Sequence, residues 1–309
     1  MLAVLFISGV SGKTIRITPQ WYPQAQFAGL YIAEKKGFFK DMGVDVQIVH
    51  PSGTESSLDM LRDGKTDIAM SQLIDALTNY DSGFELLNIL QTSERNSVLI
   101  VTREPLDSIQ QLSGKRVGHW KSGFSEGAFI MNAELGLNLR WIPYNSDVSI
   151  FLSGVLDATL AMIYNEYDQI LMSGVELTEK NVFPLSDYIV DAQEDGFYTT
   201  PEFYNNNIDD VWKCVTAIKE AWEWARIKSH RKEAVEIVMS MLKDFNLRSN
   251  ITHQRYMLDK ILENQETKDG VVPYMVDPVR FNELVSLMRR YGFIFNEVDY
   301  NDMVITLEK

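Results

Sequence analysis

Hydrophobic residues near the start of the chain recur with a spacing that changes from two residues to three or four, and then back. Residues 14–18 alternate as a short strand, and apolar residues between 27 and 31 follow helical spacing up to Gly37, a typical helix stop. Residues 44–48 alternate again. This order predicts a β-α-β unit and therefore a parallel sheet.

The same alternation of strands and helices continues, which predicts two α/β lobes. The pattern restarts near Arg103, and from Gly196 the chain turns mainly helical, with a long amphipathic helix over residues 211–225. We expect hinges at Arg103 and near residues 187–195. Lobe 1 would comprise residues 13–102 and 196–309, including C-terminal helices packed mainly on that lobe, and lobe 2 would comprise residues 103–195.

Composition is that of an ordinary globular chain of 309 residues, 45% hydrophobic and 23% charged, which is long enough for two cores. The formal net charge of −14 argues against nucleic-acid binding, which needs clustered Lys and Arg. Cys214 is the single cysteine, so no intrachain disulfide can form, and we expect it to be buried in a helix. The four histidines show no metal-ligand spacing, so neither a metal nor a cofactor is expected.

Residues 1–12 are apolar and then mostly small, as in the later part of a secretory signal peptide, but a basic start is missing. We interpret them as the remnant of a signal peptide, which predicts a periplasmic or other extracytoplasmic location. A buried first strand is the alternative. The segment is too short to span a membrane, and no cysteine follows it for a lipid anchor.

Polar and aromatic residues follow the first two predicted strands. Trp21, Tyr22 and Gln26 come after the first strand, and Gly53 lies in a small flexible turn after the second. Because ligands of parallel sheets bind at the carboxyl ends of the strands, this wall suits a flat, polar, aromatic molecule. Alternatively, the two aromatic rings only cover the end of the sheet.

A second candidate segment, Tyr164, Asn165, Glu166 and Tyr167, directly follows the apolar residues 158–163. Its amide, carboxylate and hydroxyl groups can bond the edge of a flat, polar ring. Alternatively, Asn165 caps the next helix and Glu166 stabilises its first turn. The two roles are compatible.

The loop of residues 120–125 also lies between a strand and a helix, so Trp120, Ser122 and backbone N–H groups can face a ligand. An ordinary turn is the alternative. Residues 123–127 match the G-x-S-x-G pattern of hydrolases, but three residues separate this serine from the strand. His230 and His253 are predicted on helices, so the pattern does not favour a hydrolase.

The run from Trp21 through Ala-Gly-Leu-Tyr-Ile-Ala, Lys-Gly-Phe-Phe and Gly-Val-Asp-Val resembles the opening of the NMT1/THI5-like substrate-binding proteins, and the resemblance extends over residues 15–207. It implies a two-lobed α/β fold of the periplasmic-binding-protein type II class with a helical C-terminal portion. Members include receptors of ABC importers for pyrimidine precursors of thiamine. The resemblance also implies that the Asn165 segment and the loop of residues 120–125 lie at the cleft.

Fungal relatives in this family are pyrimidine synthases with pyridoxal phosphate on a lysine and a cysteine-rich iron motif. At the positions matching that lysine and its paired histidine, this chain has Ser71 and Asp75, and it has one cysteine in all. These departures remove the chemistry and keep the pocket. We therefore expect a binding protein and not an enzyme.

The resulting hypothesis is a monomeric receptor that binds a thiamine pyrimidine precursor between its lobes and delivers it to an ABC permease. Glu166→Ala would weaken binding strongly while leaving the melting temperature almost unchanged. Alternatives are a receptor for another solute such as a sulfonate, for which Arg95 or Arg103 could supply charge, or a sensory module of a signalling system. The expected ligand-binding residues are Trp21, Tyr22, Gln26, Gly53, Ser71, Trp120, Ser122, Tyr164, Asn165, Glu166 and Tyr167.

Overall fold

The computed structural model describes residues 13–52, 55–121, 123–145 and 147–305. Residues 1–12, interpreted above as a signal remnant, lie outside the described residues. Within the described chain, no helix combines the length and the hydrophobicity that crossing a membrane requires.

Strands of the described chain form two five-stranded sheets, as the α/β pattern predicted. The strands are β1 Ile15–Thr18, β2 Val46–Ile48, β3 Ile68–Gln72, β4 Leu87–Gln91, β5 Val98–Thr102, β6 Arg116–Trp120, β7 Arg140–Tyr144, β8 Ala158–Met162, β9 Val182–Pro184 and β10 Asp195–Thr199. Their order is β2-β1-β3-β10-β4 in the first sheet and β7-β6-β8-β5-β9 in the second. The parallel pairing of β1 with β2 confirms the initial β-α-β unit.

Helices cover both sheets. They are α1 Ala28–Lys36, α2 Phe38–Asp41, α3 Ser57–Arg62, α4 Leu73–Asp81, α5 Glu126–Leu135, α6 Ser149–Leu152, α7 Glu166–Met172, α8 Pro201–Asn206, α9 Ile208–Arg226, α10 Arg231–Asp244, α11 Ile251–Asn264, α12 Pro278–Arg290 and α13 Tyr300–Met303. Gly37 ends α1 in the left-handed conformation with φ 85°, as predicted. Cys214 is buried in α9, which confirms its predicted role as a small hydrophobe.

The C-terminal helices α9 and α10 pack on α1, beside the first sheet. Gly29 makes this close approach possible, because a Cβ atom at this position would lie 2.4 Å from Nε1 of Trp222 on α9. Helix α11 contacts both the short helical turn Ala25–Phe27, which precedes α1, and α7 of the second lobe. The C-terminal portion therefore covers the first lobe and also reaches the second.

Two predictions about the chain path were wrong. Val98–Thr102 was assigned to the first lobe, but β5 pairs antiparallel with β8 and lies in the second sheet. The chain is mainly helical from Gly196, as expected, but the prediction missed β10, which lies antiparallel between β3 and β4. Both strands are buried throughout, so they lack the alternation that marks a half-exposed strand. The chain consequently crosses between the sheets at residues 92–97 and 185–194.

Candidate functional site

A cavity lies between the lobes, where strands of both sheets end. Gln72, Trp120 and Met162 are the last residues of β3, β6 and β8, so the cavity occupies the position expected for a ligand of an open α/β sheet. It is lined by Gln20, Trp21, Gln24, Gln26, Gln72, Trp120, Phe124, Met162, Tyr164, Asn165 and Glu166.

Six of the expected ligand-binding residues lie together around this cavity: Trp21, Gln26, Trp120, Tyr164, Asn165 and Glu166. Their elements come from three separate parts of the sequence. Gly53 and Ser122, which were also expected here, lie outside the described residues.

Three other expected residues lie away from the cavity. Ser71 is buried opposite Gly196, because β3 continues to Gln72 and neighbouring side chains of a strand point to opposite faces. Tyr167 follows Glu166 by one helical position and packs into the core of the second lobe. Tyr22 is 44% exposed and meets Trp21 edge to face, with ring centroids 5.3 Å apart.

Gln20, Gln24, Gln72, Phe124 and Met162 line the cavity but were not among the expected residues. Gln20 precedes Trp21, and Phe124 lies within the candidate loop, so extending each segment by its neighbours would have found them. Gln72 and Met162 required the correct strand ends. The side-chain alternation of β3 selects Gln72 over Ser71 only when the strand is known to reach residue 72.

Glu166 is 3% exposed, and its carboxyl group accepts hydrogen bonds from neighbouring residues of the second lobe. Oε2 accepts from the backbone N–H of Met162 at 2.9 Å, and Oε1 accepts from Nε1 of Trp120 at 3.1 Å and Nδ2 of Asn165 at 3.3 Å. Burial raises the pKa of Glu166, while these hydrogen bonds lower it. The carboxyl group is thus held in place by hydrogen bonds within the protein.

Asn165 precedes helix α7, but its side chain does not cap that helix, contrary to the alternative considered from the sequence. Its Oδ1 instead accepts from Nε2 of Gln169 at 2.8 Å and lies 3.1 Å from Nε2 of His253 on α11. Nδ1 of His253 lies 2.6 Å from the carboxyl group of Asp168. The C-terminal helix α11 therefore helps to position Asn165 at the cavity.

Two aromatic rings that line the cavity meet edge to face. Trp21 comes from the first lobe and Phe124 from the second, with centroids 6.5 Å apart and ring planes at 82°. The carbonyl oxygen of Trp21 accepts from Nδ1 of His50 at 2.7 Å, and Nε2 of His50 lies 3.0 Å from the hydroxyl of Tyr31. Burial lowers the pKa of His50 to about 4, so this histidine stays neutral near pH 7 and fixes the Trp21 backbone.

No Lys, Arg or His side chain is among the described residues that line the cavity, whereas Glu166 is. Arg95 donates to the carbonyl of Glu266, and Arg103 lies over the Phe151 ring, so neither guanidinium serves the cavity. Behind the wall, burial raises the pKa of Asp195 to about 6. The lining is therefore rich in hydrogen-bonding amides and unfavourable for an anion.

Ser125, the serine of the hydrolase-like pattern, is buried, and its hydroxyl lies 3.4 Å from the carbonyl of Gly123. Among the described residues it has no hydrogen bond to a histidine. The nucleophile–base contact of a hydrolase is not formed at this loop.

Comparison with known proteins gives one family and several full-length relatives. The model of the family described as NMT1/THI5 like matches residues 24–231. A Haemophilus influenzae protein named for thiamine biosynthesis is 23% identical over 99% of this chain and 96% of its own length. The formylaminopyrimidine-binding protein of Halalkalibacterium halodurans is 23% identical over 87% of this chain and 86% of its own length. The periplasmic aliphatic sulphonate-binding protein SsuA of Escherichia coli superposes with a TM-score of 0.68 at 15% identity, over 96% of this chain and 93% of its own.

Proposed function

The chain belongs to the NMT1/THI5-like family, and from that premise we propose that it is the solute-binding receptor of an ABC importer for a thiamine pyrimidine precursor. The ligand would bind between the lobes, and the closed form would be recognised by a membrane permease. In this proposal the protein acts as a monomer outside the cytoplasm. It is a binding protein and not an enzyme, like the formylaminopyrimidine-binding relative.

The observation that carries this proposal is the chemistry of the cavity lining. Four glutamines, one asparagine and one buried glutamate offer both donors and acceptors, and Trp21, Trp120 and Phe124 offer apolar ring faces. An aminopyrimidine presents a flat ring with donors and acceptors on its edge, so it matches both kinds of group. Ring faces would contact the aromatic side chains, while Asn165 and Glu166 would bond the ring edge.

A sulfonate or nitrate receptor is disfavoured by the same lining. An anion would need a guanidinium, an ammonium or several free N–H donors, and the described lining includes a buried carboxyl group instead. SsuA shows that this fold can hold a sulphonate, but at 15% identity the likeness concerns the fold alone.

Isothermal titration calorimetry tests the proposal with two pyrimidines and two anions. We expect 4-amino-5-hydroxymethyl-2-methylpyrimidine or its formylamino analogue to bind, and an alkanesulfonate and nitrate to give no heat of binding. Native mass spectrometry of the protein as purified is an independent measurement, since a tightly bound pyrimidine would be released on denaturation. Binding of the anions without binding of either pyrimidine would contradict the proposal.

A further inference from the structure

Asp195, the first residue of β10, lies directly behind the cavity wall of the first lobe and is 5% exposed. Its carboxyl group accepts from Nε2 of Gln20 at 2.7 Å. Both of its oxygens also accept from Nε2 of Gln26, at 3.0 and 3.1 Å. One buried carboxyl group is therefore bonded to two of the glutamines that line the cavity.

These bonds fix the direction in which the amides point. An ionised carboxylate can only accept hydrogen bonds, so both glutamines must turn their NH₂ groups toward Asp195. The carbonyl oxygen of Gln26 then accepts from Nε2 of Gln24 at 2.6 Å. This bond fixes the orientation of a third amide, because the NH₂ group of Gln24 must point toward Gln26. We call Asp195, Gln20, Gln24 and Gln26 the glutamine relay.

Gln20 has an unused acceptor. The side chain is 8% exposed and lines the cavity, and its Oε1 is buried without a hydrogen-bond partner among the described residues. A buried acceptor without a partner is costly and uncommon in folded proteins. A donor on a bound ligand would satisfy it.

We propose that Gln20 is a ligand-binding residue whose Oε1 accepts an N–H or O–H of the ligand, and that Asp195 is the positioning residue that holds this oxygen toward the cavity. The ligand class rests on the function proposed above. The relay leaves the carbonyl oxygen of Gln20 as an unused acceptor at this wall of the cavity, so the wall selects ligands with a donor on the facing edge. The relay lies on the wall of the first lobe, whereas Glu166 lies on the wall of the second lobe, so a ligand could be bonded from both.

The first experiment compares Gln20→Met with Gln265→Met. Methionine keeps the length of the side chain and removes the acceptor. Gln265 is a matched control, because it is also buried but bonds Arg226 away from the cavity. Calorimetry with 4-amino-5-hydroxymethyl-2-methylpyrimidine should show about a tenfold to hundredfold loss of affinity for Gln20→Met and none for Gln265→Met. Unchanged affinity of Gln20→Met would refute the ligand contact.

The second experiment introduces Asp195→Asn into the wild type and into Gln20→Met. An asparagine amide offers one donor and one acceptor side, so Gln20 can rotate and its acceptor is no longer fixed. Affinity should therefore fall in the wild type and fall much less in Gln20→Met, where that acceptor is already gone. An equal loss on both backgrounds would show that Asp195 does not act through Gln20.

A third measurement needs no ligand. In the free protein, the side-chain NH₂ signals of Gln20 and Gln26 should be protected from solvent exchange, and Asp195→Asn should remove this protection. Absence of protection in the wild type would refute the relay. If the wild type bound neither pyrimidine, the proposed function would fall, and these NMR signals would still decide whether the relay exists.

Discussion

At the scale of single residues, the carboxyl group of Glu166 accepts hydrogen bonds from Met162, Trp120 and Asn165 of the protein itself. Removing it leaves the buried N–H groups of Trp120 and Met162 without an acceptor. The sequence-based expectation that Glu166→Ala would leave the melting temperature unchanged is therefore revised. A side chain at a binding site can also stabilise the free protein.

Glu166→Gln tests this dual role. Either orientation of a glutamine amide would place its NH₂ group against the N–H of Met162 or against the donors of Trp120 and Asn165. We expect the free energy of unfolding without ligand to fall by about 1–3 kcal/mol. Denaturant unfolding measures it, with Glu220→Gln on the exposed face of α9 as the control. Equal stability of the two variants would mean that the three hydrogen bonds contribute little to the fold.

At the scale of secondary-structure elements, the sequence predicted best where a local signal marks a boundary. Gly37 ends α1 as expected, and the Asp-Pro pair at residues 277–278 is a similar local signal, since Asp277 caps α12 with Pro278 at its first position. It failed for β5 and β10, whose sheet membership depends on partners far along the chain. A buried strand of five residues without alternation carries no local information about which sheet it joins.

Gly29→Ala tests the packing of α9 on α1. The added Cβ would lie 2.4 Å from Nε1 and 2.5 Å from Cε2 of the rigid, buried Trp222 ring. We expect a loss of about 1–3 kcal/mol in the free energy of unfolding. Gly127→Ala in α5 is the control, because its Cβ would meet only the flexible tips of Leu185 and Ile189, at 3.1 and 3.4 Å. A Gly29→Ala variant as stable as Gly127→Ala would show that the helices can move apart freely.

At the scale of the whole molecule, the sequence indicated the chemistry of the site better than the complete set of residues that line it. Trp21, Asn165 and Glu166 follow strands, and the fold brings strand ends together, so their convergence could be expected. The proposed role of Gln20, however, depends on its hydrogen bond to Asp195. Asp195 is distant in sequence and lies on β10, the strand that was missed. Interactions of this kind require the sheet order before they can be inferred.

The crossings between the lobes predict a pH dependence of stability. Glu194 on the second crossing accepts from the backbone N–H of Ser97, the last residue of the first crossing, at 2.8 Å. Burial raises the pKa of Glu194 from 4.5 to about 8, and the negative charges of nearby Asp195 and Asp191 contribute to this rise. Because the folded protein holds this proton more tightly than the unfolded chain, the stabilisation is complete below the unfolded pKa. It is lost as the pH rises toward the folded pKa.

We therefore expect the free energy of unfolding to fall between about pH 5 and pH 8, by up to about 1.4 kcal/mol per pH unit for each proton released. Glu194→Gln keeps an acceptor for Ser97 and cannot titrate, so its profile should be flatter. Denaturant unfolding across this range gives both profiles. Parallel profiles for the two proteins would assign the pH dependence to other groups.

The position of β10 has a consequence for synthesis of the chain. All strands of the second sheet lie within residues 98–184, whereas the first sheet needs β10 to join β3 to β4. On a ribosome, where the chain emerges from its N-terminus, the lobe that begins second can complete its sheet first. The lobe that begins first must wait with an open edge at β3 until residues 195–199 appear.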